Sequence, residues 1–525
     1  HSLEAPAAVR DSVKRECGSG GAAPSGSRAE PWPYCQMKKA LLFGALAALA
    51  LPPLTLFPVL FICVPGLLAL IASAPTQRVA FWRGYAFGFA HQMLGIYWIT
   101  EAILIRASEY WWLVPLAVPL LAAILAVLTA IPCLVAWHAR GPGSRVLSLA
   151  GAWVLADLAR QFIATGFPWN LWGSTVELPG AAGNVLIQLG ALVGIHGMTL
   201  AVLLIAASPA LAWRWRGVAA SSAVLWVAFG LWRLNLPPPP PTGITAVVVQ
   251  GDVAEGQKFD RAFAQHVFDR YLALSRTGLA AAGPSRKVLI WPETASPYLI
   301  GEDPGARDAI AAVTGPDTPA LIGSVRFTGQ TPYNSLFVLD PPPHIAAVYD
   351  KWHLVPFGEY QPGWLPGIQL VDGSFGFGSG PRTLTVPGLP PFGPLICYEA
   401  VFTGQVIGHA DRPRWLVNIT NDAWFGNSSG PRQHLAAARM RAVEEGMPLI
   451  RAANTGISAA FDSKGRELGR IGLNRPGQRA FALPGALPGT PYGRGGLWIP
   501  GILASLCLIP GLRRKKPNAS IQIVD

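Results

Sequence analysis

The chain has 525 residues, 51% of them hydrophobic and only 13% charged, a balance too apolar for an ordinary two-domain soluble protein. Lys plus Arg outnumber Asp plus Glu by 41 to 29, but no basic block is interleaved with aromatics. Nucleic acid is therefore disfavoured as a partner, and the excess reads as the positive flanks of membrane helices.

From the amino end, residues 1–36 lack periodicity and precede Met37-Lys38-Lys39, which reads as a natural start running straight into an apolar stretch. The expectation is that 1–36 is an added or mistranslated tail, and it is set aside from fold reasoning. Ala72-Ser73-Ala74 mimics a signal-peptidase site, yet it lies far from Met37 and more apolar segments follow. The amino-terminal segment therefore reads as retained.

A bilayer core takes roughly 20 apolar residues per helix. Such stretches recur at 40–56, 57–75, 82–105, 111–137, 146–164, 185–212 and 217–234, predicting seven spans in a membrane domain over 37–236. PPPPP (237–241) follows as a stiff spacer. A region of mixed composition then extends to 485, and an eighth apolar stretch, 495–512, ends in Arg513-Arg514-Lys515-Lys516 within a final unit over 486–525. Lys38, Lys39, Arg78, Arg83, Arg140, Arg145, Arg214 and Arg216 fall on alternate connections, together with that last basic cluster. Positive charge belongs on the cytoplasmic side, so both termini read as cytoplasmic and the 237–485 domain as external.

Within that domain, short β-branched runs alternate with helical patterns. The runs are 244–250, 287–293, 320–325, 334–340, 344–351, 393–399, 415–420 and 457–462, and helices are predicted at 259–279, 306–314 and 432–446. Alternation of this kind predicts an α/β domain of layered sheets.

The six cysteines are scattered, without a CxxC, which argues against a disulfide framework or a zinc site. Only Cys397 falls in the water-facing domain. Three sites there carry possible chemistry. In WPETASPY (291–298) a strand runs into Glu293; taken alone, a solvated turn residue is the simpler reading. In YDKWHLVPFGEY (349–360), Lys351 and Glu359 sit in an aromatic, Gly/Pro-kinked loop. In GPLICYEA (393–400), Cys397 follows an apolar run and, taken alone, reads more simply as a packed thiol.

Their conjunction changes the reading. A strand-end Glu, Lys and Cys in this order resemble the Glu-Lys-Cys arrangement of the nitrilase, or carbon-nitrogen hydrolase, superfamily. WPET, DKWHLVPFGEY, ICYE, NDAWFG (421–426), HLAAARMRAVE (434–444) and RAANTG (451–456), with GFPW (166–169) behind Asp157 and Arg160, resemble the apolipoprotein N-acyltransferase family. The resemblance implies an αββα sandwich carried on about eight membrane helices. It implies transfer of an acyl chain from a phospholipid, through a thioester on Cys397, to the amine of a diacylglyceryl-cysteine apolipoprotein. No metal or other cofactor is implied, and the place is a bacterial inner membrane with the catalytic domain on the periplasmic side. The alternative is a membrane-tethered hydrolase using the same three residues with water as acceptor.

By the same resemblance, Glu293 is the base, Lys351 supplies positive charge for the thiolate and the oxyanion, and the backbone N–H of Tyr398 is a second oxyanion donor. Glu359 orients Lys351 or Glu293 in preference to a role in shaping its loop. Glu399 braces the nucleophile strand or binds the amine, and Trp424 packs on an acyl chain or in the core. Where the family often has Trp after Lys258, this chain has Phe259. His353 and His434 read as structural, because a glutamate base needs no imidazole. Arg439 and Arg441 read as a solvated face or a structural ion pair, Asp157 and Arg160 as an i, i+3 pair, and Asn421 and Asp422 as possible turn formers.

Overall fold

The computed structural model describes residues 33–105, 107–254, 262–363, 373–408 and 411–512. Residues 1–32, Lys258, Phe259 and the basic cluster 513–516 lie outside the described residues.

The first part is helical: α1 (Pro33–Ala48), α2 (Leu60–Ala72), α3 (Gln77–Gly95), α4 (Ala117–His138), α5 (Pro142–Arg160), α6 (Gly190–Ala206) and α7 (Trp213–Asn235). Local chemistry sets several ends. The Thr76 hydroxyl caps α3 by accepting from Val79 N–H, and Arg83 reaches back to the Leu70 carbonyl at the end of α2. Among the described residues, three helical runs are long and apolar enough to cross a membrane by themselves: Ala117–His138, Gly180–Ala206 and Trp213–Asn235. Large apolar side chains stand exposed on the helices, among them Leu42, Ile62, Leu120, Ile124, Leu225 and Trp232. Asp157 and Arg160 pair at 2.9 Å on one face of α5, both buried.

The second part is built on two sheets. The first joins β1 (Ile244–Gln250), β2 (Arg286–Ile290), β3 (Ala320–Thr328), β4 (Thr331–Leu339), β5 (Ile345–Asp350) and β11 (Gly477–Ala482) in the order β11-β1-β2-β3-β4-β5. The second joins β6 (Phe392–Ile396), β7 (Trp415–Thr420), β8 (Leu449–Ala453), β9 (Ser458–Phe461) and β10 (Glu467–Ile471) in the order β10-β9-β8-β7-β6. α8 (Ala264–Ala281) and α9 (Pro304–Thr314) pack on the first sheet and α10 (Gly430–Glu445) on the second.

Side-chain alternation along a strand explains the layers. On β1, Ala246 and Val248 join Val417, Ile419 and Ile450 between the sheets, while Val247 and Val249 join Phe268 and Tyr271 under the helices. Asp303 caps α9 through Ala306 N–H with Pro304 in its first turn, and α10 ends at Gly446 in the left-handed conformation. The closing helix α11 (Trp498–Leu512) packs back against α5.

β1, β2 and β3 are parallel; β4 reverses and β5 reverses again, so β5 runs with them. β6, β7 and β8 are likewise parallel. The carboxyl ends of β2 and β5 thus open at one end of the first sheet, the side where α/β folds place ligands.

The strand runs read from sequence coincide with strands, but β8, β10 and β11 were not anticipated. The stretch 82–105 does not form one helix: α3 ends at Gly95 and a short helix Ile99–Leu104 follows.

Candidate active site

Glu293 lies just past β2, Lys351 just past β5, and Cys397 just past β6. Lys351 is 1% exposed. Its Nζ donates to Glu293 Oε1 at 3.2 Å and to Glu359 Oε1 at 2.8 Å. Asn334 Nδ2, from β4, donates to the same two oxygens at 2.7 and 2.9 Å. The remaining oxygens accept backbone donors: Glu293 Oε2 from Asn421 N–H and Glu359 Oε2 from Val355 N–H. One ammonium and one amide thus hold two carboxylates in register. Burial alone would neutralise Lys351, but the Glu293 and Glu359 carboxylates outweigh it and hold its pKa well above the ordinary range.

Cys397 opens a 3₁₀ turn, Cys397–Val401, and has φ of 50°. That left-handed backbone is costly for a side chain with a Cβ, and it lifts the thiol out of the line of β6. Burial pushes the Cys397 thiol up, and Glu293 pushes it the same way; Lys351 and the Thr420 hydroxyl pull it down without offsetting them. The resting group is therefore a thiol. Lys351 favours the thiolate, but the depth of the site and the nearby Glu293 charge outweigh it.

Glu399 accepts four bonds. Oε1 takes Trp352 N–H at 2.7 Å and His353 N–H at 3.4 Å; Oε2 takes Ile396 N–H at 2.7 Å and the Tyr349 hydroxyl at 3.0 Å. It ties β6, which leads into Cys397, to the end of β5, which leads into Lys351. Burial lifts its pKa to about 7, with the backbone donors pulling the other way. The Tyr398 hydroxyl donates to the Gly166 carbonyl at 2.9 Å, and His353 Nε2 bonds the Thr165 carbonyl at 2.7 Å. Burial brings His353 down to about 4, so it is neutral. Trp424 is 36% exposed, outside the core; its neighbour Phe425 is the ring buried against Trp98, Trp169 and His434.

Sequence reasoning missed Asn334 and a buried chain of polar groups. Arg451 Nη2 meets Asp422 Oδ2 at 2.7 Å, and Asp422 Oδ1 meets His434 Nδ1 at 2.9 Å. Asp422 begins a 3₁₀ turn, yet its carboxylate is fully buried. Burial would raise its pKa, but Arg451 and His434 hold it well below the carboxylate range. An Asp, a His and an Arg within NDAWFG, HLAAARM and RAANTG were the available signal. Arg441 pairs with Glu444 at 3.1 Å, fully buried rather than on a solvated face, and Arg439 reaches the Gly465 carbonyl.

A cavity of about 440 Å³ adjoins the site, walled by Phe162, Trp352, Leu354 and Phe377 with Thr165 and His353. Its walls come from both parts of the chain.

A carboxylate, an ammonium and a thiol at strand ends of an αββα sandwich define the carbon-nitrogen hydrolase class, and residues 266–477 match that family's model. Residues 43–208 match the model described as the apolipoprotein N-acyltransferase N-terminal domain. The protein of that name from Bradyrhizobium diazoefficiens is 39% identical, the match spanning 92% of this chain and 96% of the relative. The one from Rhodopseudomonas palustris is 38% identical over 93% and 97%. The one from Brucella melitensis is 36% identical over 90% and 93%. The chain belongs to the apolipoprotein N-acyltransferase family.

Proposed function

We propose that Cys397 carries an acyl chain from a phospholipid to the N-terminal amine of a diacylglyceryl-cysteine on an apolipoprotein. The observation that carries this reading is the buried Glu293–Lys351–Glu359 cluster beside a nucleophile held in a strained turn. Sγ attacks the ester carbonyl of the lipid as Glu293 accepts the thiol proton. The protonated Glu293 then gives that proton to the departing lysophospholipid oxygen, leaving a thioester. In the second half the amine attacks the thioester, Glu293 takes the surplus proton, and the thiolate leaves and is reprotonated. Proton transfer coupled to attack suits a thiol held protonated at rest.

Lys351 and the Tyr398 N–H stabilise the oxyanion in both halves, each worth about a hundred- to thousandfold in rate. Glu359 and Asn334 orient Lys351 and Glu293. The exposed Trp424 and the apolar cavity offer contacts for acyl chains.

The exposed apolar side chains of the helical part favour embedding in a bilayer. The eight-span arrangement, with both termini cytoplasmic and the 237–485 domain periplasmic, is supported by positive charges at or beside alternate helix ends: Lys38 in the second turn of α1, Arg78 and Arg214 in the first turns of α3 and α7, and Arg140 between α4 and α5. A domain held at the membrane admits donor and acceptor laterally, and apolar walls slow hydrolysis of the thioester.

The test is the mass of the purified full-length protein after incubation with phospholipid, followed by a diacylglyceryl peptide. An acyl adduct on Cys397 that moves to the peptide amine is the expected result, and Cys397→Ala forms none. Release of free fatty acid without amide product would favour the hydrolase, and no adduct at all would leave only a lipoprotein-binding scaffold.

A further inference from the structure

The peptide joining Cys397 to Tyr398 has an external partner on its carbonyl side. His434 Nε2, from α10, lies 3.0 Å from the Cys397 carbonyl oxygen and donates to it when it carries the ring proton, which leaves Nδ1 to accept from Arg451 Nη2 at 3.2 Å. His434 is fully buried, and so are the two groups behind it, Asp422 and Arg451. Arg451 is itself held by the Asn418 side chain and by the Ile457 carbonyl at 3.2 Å. The row therefore runs from β8 through the start of the Asp422 turn and α10 to the nucleophile's own backbone.

A trans peptide is planar, and its C=O and N–H point in opposite directions. Pulling the Cys397 carbonyl toward α10 therefore turns the Tyr398 N–H away from α10. The φ of 50° at Cys397 lies in a region that costs a residue with a Cβ, so the turn gains from an outside hold on its peptide. We infer that His434, fixed by Asp422 and Arg451, is a positioning residue that orients the Tyr398 N–H as an oxyanion donor by holding the Cys397 carbonyl. This rests on the proposed role of Cys397 and of the Tyr398 N–H.

The roles of the two ring nitrogens can be separated. In His434→Asn the amide oxygen falls near the Nδ1 position and can still accept from Arg451, but the side chain cannot reach the Cys397 carbonyl. In His434→Gln the amide extends to the Nε2 position and can still donate to it. Two rates are measured on the full-length protein: acyl-adduct formation from phospholipid, and alkylation of Cys397 by iodoacetamide. Alkylation uses the same sulfur but builds no oxyanion.

His434→Asn should lose about a hundred- to thousandfold in acylation, the worth of one oxyanion donor, with KM for the lipid and the alkylation rate unchanged. His434→Gln should recover most of the loss. Wild-type acylation in His434→Asn, or equal losses in both variants, overturns the inference. A parallel fall in alkylation overturns it too, because the sulfur itself has then moved. If His434→Asn does not fold, His434→Gln decides: near-wild-type acylation supports the inference, and a hundredfold loss with unchanged alkylation overturns it. An acyl adduct that persists in Cys397→Ala defeats the underlying reading instead, so the two failures are distinguishable.

Discussion

At the residue scale, Cys397 satisfies both descriptions its sequence context allowed: it packs between the sheets at 7% exposure, and it stands at the mouth of a carboxylate–ammonium cluster. Its raised pKa makes a prediction with two opposite signs. Alkylation follows the thiolate fraction, so at pH 7 it should be slower than for a free thiol and should climb through pH 9 without a plateau. Glu293→Gln removes a negative charge that lifts the thiol, so alkylation should quicken at any given pH. Acylation should slow sharply in the same variant, because the proton acceptor is gone. Alkylation and acylation falling together in pH-resolved rates would remove Glu293 as base. Glu399 makes a separate prediction, since its two oxygens face three backbone donors and one hydroxyl. A glutamine amide can turn its NH₂ toward the Tyr349 oxygen, but Ile396 N–H then loses its acceptor. One stranded buried donor costs about 1–3 kcal/mol. Glu399→Gln should melt correspondingly lower, and an unchanged melting temperature would favour an amine-binding role over a brace.

At the element scale, what could be read in advance follows burial. β1, β7 and the core of β2 are β-branched and enclosed on both faces, so their runs stand out in the sequence. β8 contains Arg451, whose charge reads as surface although it is fully buried by its pairing with Asp422. β10 and β11 are the edges of their sheets, short and charged, with Gly469 interrupting β10, and their alternation is too weak to register. Glu293, Lys351 and Cys397 were legible because each ends an apolar run. Asn334 and His434 were not, because their partners arrive from strands and turns far off in sequence. The apolar stretch 185–212 concealed a break as well: Gly194 has φ of 65° inside α6, and a Cβ there would lie 2.2 Å from the Tyr492 ring. The kink leaves Ile195 N–H to the Glu444 carboxylate at 2.8 Å. Gly194→Ala therefore meets both a disfavoured backbone and an overpacked wall, and should destabilise by about 1–3 kcal/mol in thermal denaturation. A wild-type melt would mean that the kink can relax into regular helix.

At the scale of the whole molecule, the two parts share their cores. Met440 and Val443 of α10 belong to the same buried cluster as Trp153, Ile187 and Met198 of the helical part. Tyr398, Val401, Phe402 and Phe425 join Trp98 and Trp169 in another. The Gln433 side chain accepts from both indoles, at 3.1 and 2.7 Å. The loop at 165–166 supplies the carbonyls that hold His353 and Tyr398, on either side of the Lys351 and Cys397 strand ends. The site therefore depends on the helical part for its shape as well as for its lipid. Residues 243–485 expressed alone would expose that apolar seam and leave the Tyr398 and His353 contacts unmade. Size-exclusion chromatography should show aggregation or a requirement for detergent. Cys397 should acylate far more slowly even with a short-chain ester that needs no membrane, because the Cys397–Val401 turn, though still held by His434, loses its packing on Trp98 and Trp169 and the Tyr398 contact with Gly166. A soluble monomer that takes up the short acyl group at the full-length rate would show that the helical part delivers substrate and does nothing to shape the catalytic turn.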